Sequence, residues 1–424
     1  MQTLFSELTS FAREAGEAEI TGEVRAITGI TLTAVGLERV LGIGERCIVH
    51  GSDGPVHAEV VGLGTHGTEL LPFGSWRGVA AGDRVEVAVG DGKGHLPEGN
   101  QPRPLRAAPP GAFDRKRIGP KLATHVRALD VFTPLCQGQR LGIFAGSGVG
   151  KSTLMAMLAR YTDCDVVVMA LVGERGREVQ DFISTDLGPE GMEKAVLVVA
   201  TGDEPPLTRR QAAWTAMAVA EHFRDQGQHV LLLMDSVTRF AMAQREIGLA
   251  SREPPTAKGY PPTVFSELPQ MLERAGPGPV GKGDITAIFT VLVDGDDMND
   301  PIADAVRGIT DGHIVLDRKI AEKGRYPAID LLASVSRTLP DCHSDVEYTL
   351  LTAAHKALAA HADMEELIRI GAYRSGSNPE LDRAIAFAGP CETFLSQRKA
   401  EHTPPQSSFA EVAGMLDRAG ISPG

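Results

Sequence analysis

Between Leu141 and Thr153 the chain reads Leu-Gly-Ile-Phe-Ala-Gly-Ser-Gly-Val-Gly-Lys-Ser-Thr, an apolar run that passes into a glycine-rich turn and then into a lysine and two hydroxyls. Holding a string of phosphates requires several backbone N–H groups to converge at short range. Glycines permit this because they carry no Cβ and reach dihedrals closed to other residues. Gly146, Ser147, Gly148, Val149 and Gly150 supply such a cradle, and the helix that opens near Gly150 adds the positive end of its dipole. Lys151 brings a point charge to the β- and γ-phosphates of a nucleotide, while Ser152, followed by Thr153, offers a hydroxyl to a bridging magnesium ion. The stretch fits a P-loop in which Ala145 replaces the usual first glycine.

Two further stretches place carboxylates where such chemistry would need them. Val230 to Met234 is an apolar run with the length of a buried strand, and it ends in Asp235. Ligands of open α/β sheets bind along the carboxyl edge of the strands, so Asp235 is the candidate magnesium-orienting carboxylate beside Ser152. Taken alone, such a residue as readily caps the following helix. Leu171 to Glu178 reads Leu-Val-Gly-Glu-Arg-Gly-Arg-Glu, again at a strand end, and Glu174 is placed to orient an attacking water. A solvated cluster of ion pairs is the structural alternative there.

The elements that must position these residues are legible as a change of pattern along the chain. Runs such as Leu141 to Ala145, Asp165 to Val172, Ala195 to Ala200, Val230 to Met234 and Thr286 to Val293 alternate with helical stretches, which implies an α/β P-loop domain over residues 115–345 with a largely parallel sheet. Before it, six short β-rich runs, Glu19 to Ile27, Thr31 to Val35, Arg46 to His50, Val56 to Leu63, Glu69 to Phe73 and Arg84 to Val89, imply a closed β-barrel over 19–95. Leu4, Leu8 and Phe11 are spaced for an amphipathic helix over 1–18, and the Gly- and Pro-rich residues 96–114 read as a linker. Beyond residue 345, Asp345 to Ala362, Met364 to Ala372, Leu381 to Phe387 and Phe409 to Ala419 have helical spacing, giving a C-terminal α-helical domain over 346–424.

Composition narrows the function classes. A formal net charge of −13 and a pI near 5.4 oppose a nucleic-acid partner, which needs a positive surface. The barrel region would be the natural oligonucleotide platform, yet in residues 1–95 Asp and Glu outnumber Arg and Lys about two to one. No apolar run approaches the ~20 residues that span a bilayer. With no basic and apolar leader at Met1, a cytoplasmic location is expected. The five cysteines, Cys47, Cys136, Cys164, Cys342 and Cys391, are scattered and read as reduced thiols, and no His or Cys spacing implies a structural metal.

Taken together, these residues resemble the hexameric ATPases of flagellar and type III protein export, relatives of the catalytic subunit of rotary ATP synthases. The resemblance runs from the barrel to the C-terminal helices and is densest from Gln139 to Arg337. Its most specific blocks are Gly173 to Val179, Asp235 to Phe240, Pro254 to Pro262, Asp311 to Leu316, and Tyr326 to Arg337. The resemblance implies a RecA-like P-loop fold, ATP as substrate and Mg2+ as cofactor. It implies that Glu174 polarises the attacking water with Glu178 behind it, that Arg175 and Arg239 surround the γ-phosphate, and that Tyr326 packs on adenine. It also implies that Arg337 is an arginine finger inserted into a neighbour's site. One chain would then carry both Glu174 and Arg337, so identical subunits would complete every site of a homohexameric ring.

The same resemblance implies partners that the residues themselves do not spell out: a stator-like export regulator at the N-terminal segment, a coiled-coil stalk protein at the ring centre, export chaperone–substrate complexes at the C-terminal domain, and a membrane export gate. It implies a cytoplasmic protein, peripheral at the inner face of the cytoplasmic membrane. Ile370 to Asp382 reads like the export ATPases, where a rotary synthase subunit would carry an acidic turn. Between the two export systems, Ser334 to Asp341 favours the flagellar one, with a non-flagellar injectisome as the alternative.

Overall fold

The computed structural model describes residues 21–87, 103–293, 297 and 299–422, which fall into two compact units. The first contains a closed barrel of six strands: β1 (Thr21–Thr28), β2 (Thr31–Val35), β3 (Arg46–Gly51), β4 (Gly54–Gly64), β5 (Gly67–Pro72) and β6 (Arg84–Val87), ordered β1-β2-β5-β4-β3-β6. Period-two alternation builds it. Leu32 and Ala34 of β2, and Cys47 and Val49 of β3, point inward with Val24, Ala58, Val60, Leu70 and Val85, and the residues between them face out. Register shifts at Val24/Ala26 and Val60/Gly62 bend the strands enough for the sheet to close on itself. Residues 204–208 and 243–256 belong to the same unit.

The second unit is built on a mostly parallel sheet. Its strands are β9 (Arg140–Ala145), β10 (Val166–Val172), β11 (Ala195–Ala200), β12 (His229–Asp235), β14 (Asp284–Leu292), β15 (Gly312–Leu316) and β16 (Ile329–Ser336), in the order β11-β10-β12-β14-β9-β15-β16. The short β13 (Gly276–Pro277) pairs with β14, and a separate ribbon joins β7 (Lys121–Leu122) to β8 (Leu135–Cys136).

Both faces of this sheet are covered, which is why its strands read as continuous apolar runs rather than as alternation. Val167, Met169 and Leu171 enter one core with the helix Lys151–Tyr161, and Val168, Ala170 and Val172 enter the other with helices Pro206–Asp225, Val237–Ala250, Pro262–Leu272 and Pro301–Ile309. The first core also takes in Leu351, Ala354, Phe387, Cys391 and Val412 from helices Asp345–Arg369, Pro379–Leu395 and Pro405–Arg418. The C-terminal helices therefore share their apolar core with one face of the nucleotide-domain sheet.

Most sequence expectations match these elements, with informative differences. The helix expected over residues 1–18 lies outside the described residues, as does most of the first half of the linker. The two helices expected at Asp345 to Ala362 and Met364 to Ala372 are one, Asp345–Arg369, because no glycine or proline interrupts the chain before Gly371. Ser344 and Glu347 start it with a reciprocal capping box. Strands β15 and β16 are not among the runs singled out in the sequence: buried and more exposed positions intermix along both instead of forming a continuous apolar run, and a register shift lies between His313 and Val315. No helix among the described residues is long and apolar enough to cross a membrane.

Candidate active site

Strand register brings the chemistry-bearing residues to one edge. Leu171 of β10 is level with Asp235 of β12, Met234 with Phe289 of β14, and Leu292 of β14 with Ala145 of β9. Every parallel strand of this central group therefore ends near the same line, and the loops that follow emerge together. Gly146 to Gly150 leave β9, Gly173 and Glu174 leave β10, and Asp235 closes β12.

The P-loop turn depends on two left-handed residues, Gly148 at φ +77° and Gly150 at φ +90°. Gly150 is the N-cap of helix Lys151–Tyr161, and no side chain caps that terminus. The first N–H groups of the helix are thus left for an outside acceptor, and an anion is the acceptor that the dipole favours. Ser147, Gly148 and Ser152 are exposed, so solvent and ligand reach the turn, while Val149 is buried and anchors it. Thr153 is half-buried on the first helical turn.

Lys151 is the centre of the cluster. Its side chain is 11% exposed, and its Nζ reaches Glu174 Oε1 at 3.3 Å and makes a closer ion pair with Asp235 Oδ1. Asp235 is buried, and the same Oδ1 accepts a hydrogen bond from Thr290 Oγ1 at 2.7 Å. The helix-cap alternative for Asp235 does not hold. It is Ser236 whose Oγ accepts the backbone N–H of Arg239, at 3.3 Å, at the start of Val237–Ala250. Glu174 is half-buried, and burial pushes its carboxyl above the ordinary value; Lys151 pulls the other way, and Asp235 adds to the rise. Raised affinity for a proton in a carboxylate at a strand end fits a group that handles protons or water.

Three of the arginines differ in their surroundings. Arg239 packs its stem over Gly173, so closely that a Cβ on Gly173 would lie 2.7 Å from Arg239 Cβ. Gly173 also sits at φ +74°, which makes it a double requirement for glycine. The buried Nε of Arg239 has no hydrogen-bond partner among the described residues. Arg175 is 86% exposed and pairs with Glu178 at 3.2 Å, so the solvated ion pair expected as the alternative at this loop belongs to Arg175 and Glu178, not to Glu174. Arg337 is not in the cluster at all. It is exposed at the end of β16, and among the described residues its guanidinium hydrogen-bonds only the carbonyl of Arg307, at 3.4 Å.

Tyr326 is 41% exposed, contrary to the ordinary buried aromatic that its type alone suggests. Its ring flanks the phosphate-binding turn: a Cβ on Gly150 would lie 3.0 Å from Tyr326 Cδ1. Thr290 is the residue that sequence reasoning missed. It is the second of two buried threonines in the mainly apolar run of β14, after Thr286, and its place near the carboxyl end of the strand is the signal that would have found it.

The donor set suits a magnesium-bound triphosphate. Ser152 and Asp235 offer hard oxygen ligands, Lys151 is a cation already held between two carboxylates, and the uncapped helix and the orphaned Arg239 Nε await an anion.

Comparison with known proteins adds what geometry does not carry. Residues 125–336 match the nucleotide-binding domain of the ATP synthase alpha/beta family, and residues 344–413 match the C-terminal domain of the EscN ATPase of type III secretion. The chain is 52% identical to the flagellum-specific ATP synthase of Caulobacter vibrioides, covering 94% of this chain and 96% of that one. It is 45% identical to the type 3 secretion system ATPase of Xanthomonas euvesicatoria, covering 94% of each. The assembled ATPase EscN of enteropathogenic E. coli superposes with a TM-score of 0.83 at 39% identity, over 93% of this chain and 100% of EscN. EscN solved with its central stalk EscO gives a TM-score of 0.81 over the same shares.

Proposed function

The chain belongs to the ATP synthase alpha/beta nucleotide-binding family and, within it, to the type III export ATPases, and on that premise we propose that it hydrolyses ATP to energise protein export by a bacterial flagellum. The observation that carries the reading is the convergence of Lys151 on Glu174 and Asp235 beside an uncapped helix N-terminus.

In this mechanism the N–H groups from Gly146 to Thr153 take the phosphates, and Lys151 exchanges its carboxylate partners for the β- and γ-oxygens. Ser152 and Asp235 would hold Mg2+, whose charge would offset that of the phosphates. Glu174, released from Lys151, orients a water toward the γ-phosphate, and Glu178 supports it. Arg239 and Arg175 face the γ-phosphate, and Tyr326 packs on the base. Arg337 of an adjacent copy supplies the remaining charge, so that catalysis requires a ring of copies, a homohexamer. Its exposure, and the absence of a carboxylate partner for it among the described residues, support that role. Hydrolysis then changes the angle between copies.

The cycle releases export substrates from their chaperones and delivers them unfolded to a membrane gate. The remaining partners are a stator-like regulator and a coiled-coil stalk, the latter supported by the solved pair of EscN with EscO. The site of action is the inner face of the cytoplasmic membrane. An injectisome role is the second reading, favoured by the similarity to the Xanthomonas ATPase. Restoration of motility in a flagellar strain lacking its own ATPase separates the two. For the reaction itself, Glu174→Gln should bind ATP at near-normal affinity while turnover falls by about 10³-fold; wild-type turnover in that variant would remove Glu174 from the mechanism.

A further inference from the structure

The five thiols do not share one environment. Cys47, on a barrel strand, and Cys391, on a C-terminal helix, are fully buried, and burial pushes each up to about 12. Burial likewise raises Cys164 to about 11. Such thiols stay protonated and inert.

Cys136 and Cys342 differ because they meet. Cys136, on β8, is buried and in side-chain hydrogen-bond contact with the half-buried thiol of Cys342. The hydroxyl of Thr338 touches both, Oγ1 lying 3.4 Å from Cys136 Sγ and 3.5 Å from Cys342 Sγ. Lys121 of β7 stands opposite Cys136 in the ribbon, and its charge acts on both sulfurs. The contact splits the pair: the Cys136 S–H, the Thr338 hydroxyl and the Lys121 ammonium favour the thiolate of Cys342, while Cys136 is held protonated.

We propose that Cys136 and Cys342 form a dithiol switch that a hydroperoxide closes to an intramolecular disulfide, slowing ATP turnover. The accessible Cys342 thiolate attacks one peroxide oxygen, the O–O bond breaks, and the alcohol or water leaves with a proton, giving a sulfenic acid. The Cys136 sulfur attacks that sulfur, the S–S bond forms, the S–O bond breaks, and water carries away the Cys136 proton. Two thiols lose two electrons and the peroxide gains them. In a reducing compartment such a bond is transient, which suits a sensor.

The coupling to turnover lies in Thr338. Its hydroxyl sits between the two sulfurs and 2.9 Å from Ser336 Oγ, which accepts from Gln139 at 2.9 Å and lies 2.8 Å from the carbonyl of Pro134. Arg337 lies between Ser336 and Thr338. Drawing the sulfurs to a bond of about 2.05 Å displaces that hydroxyl and moves the segment carrying Arg337.

The test treats the full-length chain with hydrogen peroxide, maps peptides without reduction, and follows ATP turnover before and after dithiothreitol. The expected result is a Cys136–Cys342 linked peptide, a fall in turnover of about tenfold, and recovery on reduction. Cys342→Ala should retain basal turnover and resist peroxide. Cys136→Ser should stop at a sulfenic acid that dimedone traps on Cys342. No linked peptide, a link that leaves turnover unchanged, or equal peroxide sensitivity in Cys342→Ala overturns the proposal. The turnover readout rests on the ATPase reading whereas the peptide map does not, so a failed switch and a failed activity are told apart.

Discussion

Lys151 and Arg337 are both cations proposed to act on the same phosphate, and the chain treats them in opposite ways. Lys151 is almost enclosed and held by two carboxylates of its own chain, Glu174 and Asp235, the second fixed in turn by Thr290. Arg337 stands at a strand end, exposed, with one long contact to a main-chain carbonyl. A buried cation without partners would cost several kcal/mol, so Lys151 must be neutralised before any ligand arrives. An exposed arginine carries no such requirement and stays available. On the proposed mechanism, the difference teaches that one half of the site is preassembled by the fold of a single chain, while the other half waits for something outside it.

Substitutions can sharpen or break this contrast. The largest effect is expected at the open half: Arg337→Ala should fold normally by circular dichroism, bind ATP, and lose about 10³-fold in turnover. At the closed half, Lys151→Ala should lose about 10²-fold in kcat together with measurable ATP affinity in a fluorescent-nucleotide titration, since on the proposed mechanism the lysine meets the nucleotide before and during reaction. If Lys151→Ala bound ATP as tightly as wild type, the preassembled half would not be a phosphate site. Tyr326→Ala should raise the KM for ATP about tenfold with kcat nearly unchanged, the signature of lost base packing.

The smallest effect is one of pH. Burial holds the Glu174 carboxyl above its ordinary value of 4.5, and in the proposed mechanism the group must be deprotonated to orient water. Activity is therefore lost as pH falls through the raised value, and the acid limb of kcat/KM should have its midpoint above the ordinary glutamate range. An acid limb at the ordinary value would mean that another group, or no buried carboxylate, controls the step.

The legibility of the two halves in the sequence differs for the same physical reason. The P-loop, the apolar runs of β9, β10, β12 and β14, and the carboxylates that follow β10 and end β12 are local patterns, and local patterns survive in a one-dimensional reading. The six barrel strands were legible because alternation and turn residues are local as well. What depends on distant pairing was not. Thr290 of β14 acquires meaning only when β12 is beside it. The exposure of Tyr326 against Gly150, the meeting of Cys136 with Cys342, and the joining of the C-terminal helices to the sheet's own core all require the assembled fold. Arg337 marks the limit most clearly: its type and exposure are those of any surface charge, and only the family resemblance singled it out.

The division between a closed and an open half is tested most directly by mixing two inactive chains. Glu174→Gln supplies a sound Arg337 and Arg337→Ala supplies a sound Glu174, so an interface between them regains one complete site. Steady-state ATP turnover of the mixture, measured across ratios, should rise above that of either chain alone and peak near equal amounts. Turnover that stays at the sum of the separate chains at every ratio would contradict a site shared between copies.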